Sequence, residues 1–549
     1  MEKQNDLEKE QLQATIAVQA QALNKSNEKI QQLEQESIIL NKQKIKLEQE
    51  STILNKQKIK LEQENSELRA KIQQLLHERY GKKSEKLPEE ELPVIDEANV
   101  TPEEAAAIQE VEQQISVASY TRGKPKRKPI PKEFVRETIV HDLPLNQQIC
   151  SCGCNLHCIG EDLHEQLDYI PAKIKVLVHI RKKYGCRNCE IGITMAPMPK
   201  DFIPKGLAAP GLLSHVILSK YEDHIPLYRQ EKMWQRLGIE LARSTLCNWA
   251  LLTAQNLQVL SGLQQKELLQ LNYIRADETP VQVMEENELR KSKRAYMWLF
   301  ASGRKEKAIF VYKFAMTRSG SVAEKFLSKF KGFLQTDGYS GYNNVAAKEP
   351  ITRIGCMAHA RRKFVAIVKA TTKTGAAHYA VAVIAKLYRI EQEIKEKNLD
   401  FDNIKSYRQQ HAKPLLLEFR DWLIKKKTQA PPQSPLGKAV FYFLEHWEEL
   451  VIYLEQGFLD IDNNFTEQRI KPFAVGRKNW LFMGNERGGE AAAILFGLIE
   501  SAKANGLNTY AYFRCIMTQL PLIDPHNEEA YLSLLPHRIE QSILQKYLN

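Results

Sequence analysis

The N-terminal part of the chain carries a leucine at every seventh position, from Leu33 to Leu75. Within this stretch SIILNKQKIKLEQE at 37–50 returns as STILNKQKIKLEQE at 51–64, an offset of two heptads. The repeat keeps the leucines on one helical face and predicts a self-associating coiled coil over 1–87. The other seam positions are mostly polar, so the number of partner chains is left open. A single solvated helix is the alternative interpretation.

Downstream of residue 272 the pattern changes to alternating strands and helices, which predicts an α/β domain over 272–505. Residues 365–455 are helical throughout, with a Pro/Gln/Ser loop at 430–435. The region 201–271 is also helical from Gly211 onward. The predicted strands are 273–284, 295–302, 307–314 and 332–339, with a helix at 321–330 and a strand running into a helix at 351–364.

Between the coiled coil and these regions lie a linker over 88–132 and a cysteine-rich unit over 133–200. The linker is acidic at first and then turns basic in RGKPKRKPIPK at 122–132. Proline keeps that segment extended, so we expect it to meet DNA phosphates, although a solvated tether explains it almost as well. Its candidate contacts are Lys126, Arg127 and Lys128. In the cysteine-rich unit, KIKVLVHIRKKY at 173–184 has a strand-like pattern.

Composition narrows the class of protein. The chain has 549 residues, a net charge of +11 and 43% hydrophobic residues, which indicates several domains and a mild affinity for nucleic acid. No run is long and apolar enough for a membrane span; AAAILFGLI at 491–499 reads as a buried helix. The first residues do not resemble a secretory signal, so we expect a cytoplasmic protein.

Six of the nine cysteines crowd into one stretch, which in a reducing compartment indicates a metal site. Cys186 and Cys189 have the spacing of a zinc knuckle. The other half is less regular, because Cys150, Cys152 and Cys154 are separated by single residues. We expect Cys152 with either neighbour to complete a zinc ribbon, with Cys158 and His157 as outside candidates.

Two acidic residues lie at positions that are predicted to be buried, where a carboxylate is costly unless it is paired or binds a metal ion. Asp277 is inside an apolar strand, and Asp337 follows the C-terminal end of another. Acids on the first and fourth strands are the pattern of an RNase H-like sheet, in which those strands are neighbours. Each acid could instead be a turn residue, in DETP and in TDGYSG. Taken together they favour binding of Mg²⁺ or Mn²⁺.

A third acid is offered by the segment 460–484. Glu467 lies four residues after Asn463, so the two share a helical face, and a dense set of bases follows. These three acids could bind two metal ions for phosphoryl transfer, with the bases on the remaining phosphates. The bases are Arg469, Lys471, Arg477 and Lys478, and the rival third acids are Glu486, Glu490 and Glu500.

Several long strings of the chain resemble the transposases of the insertion sequence 66 family, which belong to the DDE group. They are YGKKSEKL (80–87), IGEDLHEQLDYIPAKIKVLVHIRKKYGCRNCE (159–190), KYEDHIPLYRQEKMWQRLGIELARSTLCNW (220–249), ADETP (276–280), TDGYSGY (336–342), GCMAHARRKF (355–364), DNNFTEQRIKPFAVGRKNWLF (462–482) and LSLLPH (532–537).

The resemblance implies cleavage at transposon ends to free 3′-hydroxyls, which then attack target DNA. It places the catalytic triad on Asp277, Asp337 and Glu467, with 365–455 as a helical insertion between the second and third acids. It also implies a bacterial protein that is associated with the nucleoid. It also implies double-stranded DNA as the partner and accessory transposition proteins acting in trans. Cys356 and His359 form a Cys-x-x-His pair that the resemblance places near the active site. A buried thiol beside a hydrogen-bonded histidine explains the pair about as well.

Within the predicted helical DNA-binding region 201–271, residues 205–260 resemble a helix-turn-helix, with one helix at 225–237, a break at Gly238 and a second helix capped by Ser244. Its first turn would enter the major groove. The candidate DNA contacts are Arg243, Ser244, Thr245 and Asn248. Ordinary helix packing is the alternative. Residues 506–549 are expected to form a short C-terminal tail.

A metal-dependent transposase is therefore the function that the sequence favours. A DNA-binding regulator derived from a transposase, without catalysis, is the alternative, because it would keep the zinc and helix-turn-helix parts. A structural coiled-coil protein explains neither the three acids nor the cysteine spacing.

Overall fold

A computed structural model gives the fold of much of the chain. It describes residues 14–36, 40, 42–50, 52–55, 57–58, 94–95, 174–185, 193–195 and 200–548, the last without 285–291, 304–306, 348–349 and 372. The chain divides into two compact units: Met1–Gln113 with Phe202–Asn549, and Gln114–Asp201.

The predicted N-terminal helix is present over the described residues 14–36, 42–50 and 52–55. The leucines of the heptad stripe are exposed along it; Leu33 and Leu47 expose 56% and 65% of their surface. An apolar stripe on a helix with no covering layer is typical of a helix that pairs with another. Self-association remains a prediction.

From residue 200 onward, three described helices precede the sheet: α1 (Pro210–Tyr221), α2 (Leu227–Arg236) and α3 (Arg243–Leu268). The predicted break between the last two is confirmed, because Gly238 has a φ of +77° that favours glycine. The predicted N-cap is wrong: α3 begins at Arg243, one residue before Ser244. The side chain of Glu231, on α2, accepts a hydrogen bond from the Arg243 backbone N–H at 2.8 Å and so replaces a local cap.

The centre of the larger unit is a mixed five-stranded sheet in the order β3-β2-β1-β4-β5. Neighbouring strands are antiparallel between β1, β2 and β3, and parallel between β1, β4 and β5. The first and fourth strands are therefore neighbours, as the sequence predicted. The strands are β1 (Tyr273–Met284), β2 (Ser292–Ser302), β3 (Phe310–Ala315), β4 (Gly332–Gln335) and β5 (Ile351–Ile354).

The predicted strands exist, but some of their predicted ends are wrong. β4 ends at Gln335, four residues before the predicted end, because the Asp337 side chain accepts a hydrogen bond from the Tyr339 N–H at 3.0 Å and turns the chain. The helix predicted at 321–330 is likewise shorter, as α4 (Ser321–Phe326), and α5 (Asn343–Ala346) follows the turn.

Each face of the sheet is covered by helices. One face shares a core with α1, α3 and two later helices, α12 (Glu486–Ala504) and α13 (Thr509–Gln519). The other face buries Trp298, Phe300 and Tyr342 against α4 and α5. The string 491–499 lies in α12 and is buried, as predicted. The C-terminal segment is more than a tail, because Tyr512 and Leu535 belong to the first core.

The region of the predicted insertion is helical in the structure and has a core of its own, built around Leu416, Phe419 and Phe443. Its helices are α6 (Met357–Ala370), α7 (Ala376–Glu396), α8 (Phe401–Gln429), α9 (Pro435–Glu445) and α10 (Trp447–Val451). The chain then returns to the sheet through α11 (Asn464–Trp480). Two short helices, α14 (Glu528–Leu532) and α15 (Gln541–Leu544), lie near the C-terminus. No described helix has the length and apolar character needed to cross a membrane.

In the smaller unit, Lys183–Gly185 and Ile193–Met195 form an antiparallel pair. The strand predicted at 173–184 is wrong over 174–182, which is irregular. Val176 and Ile180 expose 85% and 83% of their surface there. Alternating apolar residues make a strand only where a neighbouring strand and a core receive them, and neither is present among the described residues. Elsewhere, Val94–Ile95 pairs in parallel with Lys373–Thr374.

Candidate active site

Two of the three predicted acids come from neighbouring strands. Asp277 lies in β1, and Asp337 follows β4 by two residues. These strands run parallel, with Arg275 opposite Gln335, so both acids lie beyond that pair, toward the C-terminal end of each strand. The sheet therefore brings the two half-buried carboxylates together.

The Asp277 carboxylate is in an environment that opposes its negative charge. Burial raises the pKa of Asp277 well above its usual range, and the charges of Glu278, Glu467 and Asp337 raise it further. One hydrogen bond, from the Glu278 N–H at 2.8 Å, opposes this. Four acids thus share one electrostatic neighbourhood, which a bound cation would relieve.

The third acid is carried into this neighbourhood by α11. Asn463, 1% exposed, precedes the helix and fixes it at two points. Its Nδ2 donates to the Ala276 carbonyl at 2.9 Å, next to Asp277 in β1, and its backbone N–H donates to Cys356 Sγ at 3.2 Å. One turn further on, Glu467 shares the helical face of Asn463. Asn463 therefore anchors the helix that carries Glu467 to the sheet.

Two basic side chains of α6 contact the Glu467 carboxylate. His359 Nδ1 lies 3.6 Å from Oε1, and Arg362 Nη2 lies 3.3 Å from Oε2. His359 and Arg362 are three residues apart, so they project from one face of α6. The helical insertion thus begins with a helix whose first two turns hold the third acid in place.

The buried oxygens of this site fit a hard cation. Asn463 Oδ1 and Glu467 Oε1 are buried without a hydrogen-bond partner. Because the Asn463 Nδ2 must be the atom that faces the Ala276 carbonyl, the orphaned atom is the amide oxygen. Asp277 and Asp337 each use one oxygen in a backbone hydrogen bond. Oxygen donors of this kind suit Mg²⁺ or Mn²⁺.

The Cys356 thiol fits a metal less well. Cys356, His359 and Glu467 are the group of potential ligands that converges within the described residues. However, Cys356 is buried, and burial raises the pKa of its thiol to about 12. Its sulfur already accepts the hydrogen bond from Asn463. Cys356 therefore acts as a buried hydrogen-bond acceptor for the residue that precedes α11.

The four bases of α11 do not share one environment. Arg469 Nη1 lies 3.8 Å from Glu500 Oε2, so it points toward α12. Arg477 donates to the Pro280 carbonyl in β1 and to Thr279 Oγ1, the latter at 3.4 Å. Lys471 and Lys478 are exposed. The two lysines are therefore the members of the set that are open to a phosphate.

The rival third acids lie elsewhere. Glu486 and Glu490 are exposed on α12. Glu500 is 1% exposed and is paired with Lys503 at 3.0 Å as well as with Arg469. None of the three is among the charges that raise the pKa of Asp277, whereas Glu467 is.

The predicted DNA contacts at the start of α3 face outward. Arg243, Ser244 and Asn248 are exposed and Thr245 is half-buried, while the next turn buries Trp249 in the core. The remaining candidates lie outside the described residues. They are Lys126, Arg127 and Lys128 of the basic segment and the cysteines Cys150, Cys152, Cys154, Cys186 and Cys189. The described strands at 183–185 and 193–195 flank the last two.

Sequence reasoning missed three residues around the acids. Arg362 could have been found from its spacing to His359. Arg353, buried in β5, donates to the Asp337 carbonyl at 2.6 Å and to Thr336 Oγ1 at 2.9 Å. Glu278 lies beside Asp277, and its partners come from distant segments. Nothing in the local sequence signals those long-range contacts.

Sequence profiles of one protein family match successive parts of this chain. A sequence profile described as "Transposase IS66 family" matches residues 205–491, and one described as "zinc-finger binding domain of transposase IS66" matches 147–190. The "IS66 C-terminal element" matches 497–537, and "Transposase C of IS166 homeodomain" matches 67–139.

Similar proteins occur in Sinorhizobium fredii (strain NBRC 101917 / NGR234). "Uncharacterized protein y4jD" is 34% identical over 403 residues, covering 71% of this chain and 78% of its own length. "Uncharacterized protein y4hP" is 29% identical over 478 residues, covering 82% and 85%. With profile matches that together run along most of the chain, the protein belongs to the IS66 transposase family.

Proposed function

We propose that this protein is a DDE transposase that cuts DNA at transposon ends and joins the freed 3′-hydroxyls to target DNA. The observation that carries the proposal is the convergence of Asp277, Asp337 and Glu467 from two adjacent strands and one helix. Asn463, four residues before Glu467, donates to the Ala276 carbonyl beside Asp277, and the charges of Asp337 and Glu467 both raise the pKa of Asp277. Family membership supports the reaction class.

We further propose that the catalytic domain is RNase H-like. The support is the strand order β3-β2-β1-β4-β5 with three antiparallel strands followed by two parallel ones. In this arrangement the acid in β1 and the acid that follows β4 lie at the C-terminal ends of neighbouring strands. An acid on a later helix packs beside them. The domain would then span 272–505, with 365–455 as its helical insertion.

In this account the residues of the site hold and orient the reacting groups. Asp277, Asp337 and Glu467 would supply carboxylate oxygens to Mg²⁺ or Mn²⁺. Such ions, when bound, would act as Lewis acids toward the attacking and leaving oxygens. His359 and Arg362 fix the Glu467 carboxylate from behind. Lys471 and Lys478, both exposed on α11, bind neighbouring DNA phosphates.

The other parts of the chain are assigned to DNA capture and assembly. The zinc ribbon of 133–200 binds Zn²⁺ through Cys186, Cys189 and two of the earlier cysteines. The first turn of α3 contacts double-stranded DNA through Arg243, Ser244, Thr245 and Asn248. The exposed leucine stripe pairs copies of the chain in a homo-oligomer. Accessory transposition proteins assist in trans, and the protein acts at the bacterial nucleoid.

The test is a cleavage assay on DNA that carries the element's own ends, with Mg²⁺ or Mn²⁺, comparing wild type with Asp277→Asn. We expect metal-dependent nicking at the 3′ ends by the wild type, and DNA binding without nicking by the variant. Binding without nicking by both proteins, even with accessory proteins present, would favour the regulator. That alternative is supported by the same DNA-binding parts, but it leaves the three carboxylates unexplained.

A further inference from the structure

A fourth carboxylate, Glu278, follows Asp277 directly and is held on the other side of the sheet. Side chains alternate along a strand, and Ile274 and Ala276 of β1 pack in the core that contains Trp298 and Tyr342. Glu278 faces this same side, opposite the Asp277 carboxylate. Its side chain is 2% exposed. Such a buried acid needs partners of its own.

Both oxygens of Glu278 are occupied. Arg318 Nε and Nη2 donate to Oε1 at 2.9 and 2.6 Å, and the Tyr342 hydroxyl donates to Oε2 at 2.7 Å. Arg318 follows β3, whereas Tyr342 lies in the loop after β4. Glu278 therefore joins the central strand to two segments that are distant in the sequence. With both oxygens engaged, it is not itself arranged as a metal ligand.

The same partners reach the second catalytic acid. The Arg318 guanidinium lies 3.9 Å from the ring centroid of Tyr339, and the Tyr339 hydroxyl donates to the Arg318 carbonyl at 2.8 Å. The Tyr339 N–H in turn donates to Asp337 Oδ1 at 3.0 Å. A continuous set of contacts therefore runs from Glu278, beside Asp277, to the carboxylate of Asp337.

The two loops involved also pack closely. A side chain at Gly320, two residues after Arg318, would place its Cβ 2.0 Å from the Gly341 carbonyl oxygen. This contact excludes any larger residue at Gly320 without movement of the loop. The loop that carries Asp337 is thus held against the segment that carries Arg318 by backbone contact as well as by side chains.

We propose that Glu278, Arg318, Tyr339 and Tyr342, here called the Glu278 network, form a positioning device that fixes Asp337 relative to Asp277. The inference rests on the proposed function, because it assigns the network to the metal-binding geometry of that site. Partners that orient metal ligands without touching the metal typically change metal affinity about 10- to 100-fold when removed.

The test is a Mn²⁺ titration of the full-length protein in the absence of DNA. Electron paramagnetic resonance measures the concentration of the free ion. The part of the Mn²⁺ binding that Asp337→Asn abolishes is assigned to the active site and is called the active-site component. We expect Glu278→Gln and Arg318→Met each to weaken that component by about 10-fold or more. The double variant should be no weaker than the single ones by more than about 2-fold, because both changes break one network. Arg318→Lys, which keeps the charge, should recover part of the affinity.

Arg389→Met is the matched control, because Arg389 is an exposed arginine with its own ion pair to Glu393 at 3.7 Å on α7. It should bind Mn²⁺ as the wild type does. Tyr342→Phe, which removes a single hydroxyl, serves if Glu278→Gln does not fold. Unchanged affinity in Arg318→Met and Tyr342→Phe, with binding still lost in Asp337→Asn, would overturn the network's role alone. A wild type without Asp337-dependent Mn²⁺ binding would overturn the proposed function itself.

Discussion

Glu467 Oε1 lies 3.6 Å from His359 Nδ1, which ties the third acid of the site to the first helix of the insertion. Arg362 contacts the other oxygen of the same carboxylate. The insertion separates Asp337 from Glu467 in the sequence, yet its first helix holds Glu467 at the sheet. The helical insertion therefore supports the candidate active site through α6.

This contact gives the first prediction. His359→Ala should lower the rate of end cleavage by about 10- to 100-fold, because Glu467 loses one of the two groups that orient it. The measurement is single-turnover cleavage at saturating DNA, with circular dichroism to confirm folding. Lys369→Ala, in the last turn of the same helix, is the control and should cleave normally. An equal loss in both variants would mean that α6 matters only for stability.

A second prediction concerns the Cys356 thiol. Cys356→Ala should lower the free energy of unfolding by about 1–3 kcal/mol, because the buried Asn463 N–H loses its acceptor. The bound zinc, measured by atomic emission, should not change. Loss of a zinc ion in this variant would show that Cys356 is a metal ligand and not only the hydrogen-bond acceptor for Asn463.

A third prediction separates the two compact units. Cys189→Ser should remove the zinc and unfold the unit Gln114–Asp201, because thiolate ligands supply the folding energy of a small module. The unit that contains the sheet should keep its thermal transition. Cys247→Ser, which changes an exposed free cysteine of α3, should leave the zinc content as in wild type. Normal zinc binding by Cys189→Ser would rule out the knuckle.

A fourth prediction tests the outward face of α3. Arg243→Ala should weaken binding to transposon-end DNA and lower the salt dependence of the affinity by about one phosphate contact. The control is Lys266→Ala on the same helix, about 35 Å further along it at 1.5 Å per residue. Fluorescence anisotropy over a series of salt concentrations measures both. If the two variants bind alike, the first turn of α3 does not meet DNA.

Several parts of this fold were predictable because their signal is local. The period of two in 273–284 predicted β1 to the residue, and Gly238 marked the break between α2 and α3. Asp277, Asp337 and Glu467 could be selected because each stands out against its own neighbours: an acid in an apolar strand, an acid at a strand end, and an acid among bases.

Other features depend on contacts that no local pattern carries. The cap of α3 comes from Glu231 on another helix, so Ser244 was a reasonable but wrong choice. The sequence favoured Arg469 as a phosphate ligand, but in the structure Glu500 of α12 lies beside its guanidinium. The partners of Glu278 come from positions 40 and 64 residues away in the sequence. These relationships arise only when the sheet brings distant segments together.

The proposed function requires Glu467 to complete a metal site with Asp277 and Asp337. The most direct measurement is Mn²⁺-dependent 3′-end cleavage and strand transfer by wild type, Glu467→Gln and Glu490→Gln, the last a matched change at an exposed acid of α12. We predict that Glu467→Gln binds the ends but neither cleaves nor transfers them, while Glu490→Gln retains wild-type activity. Full activity in Glu467→Gln would show that Glu467 is not the third acid of the metal site.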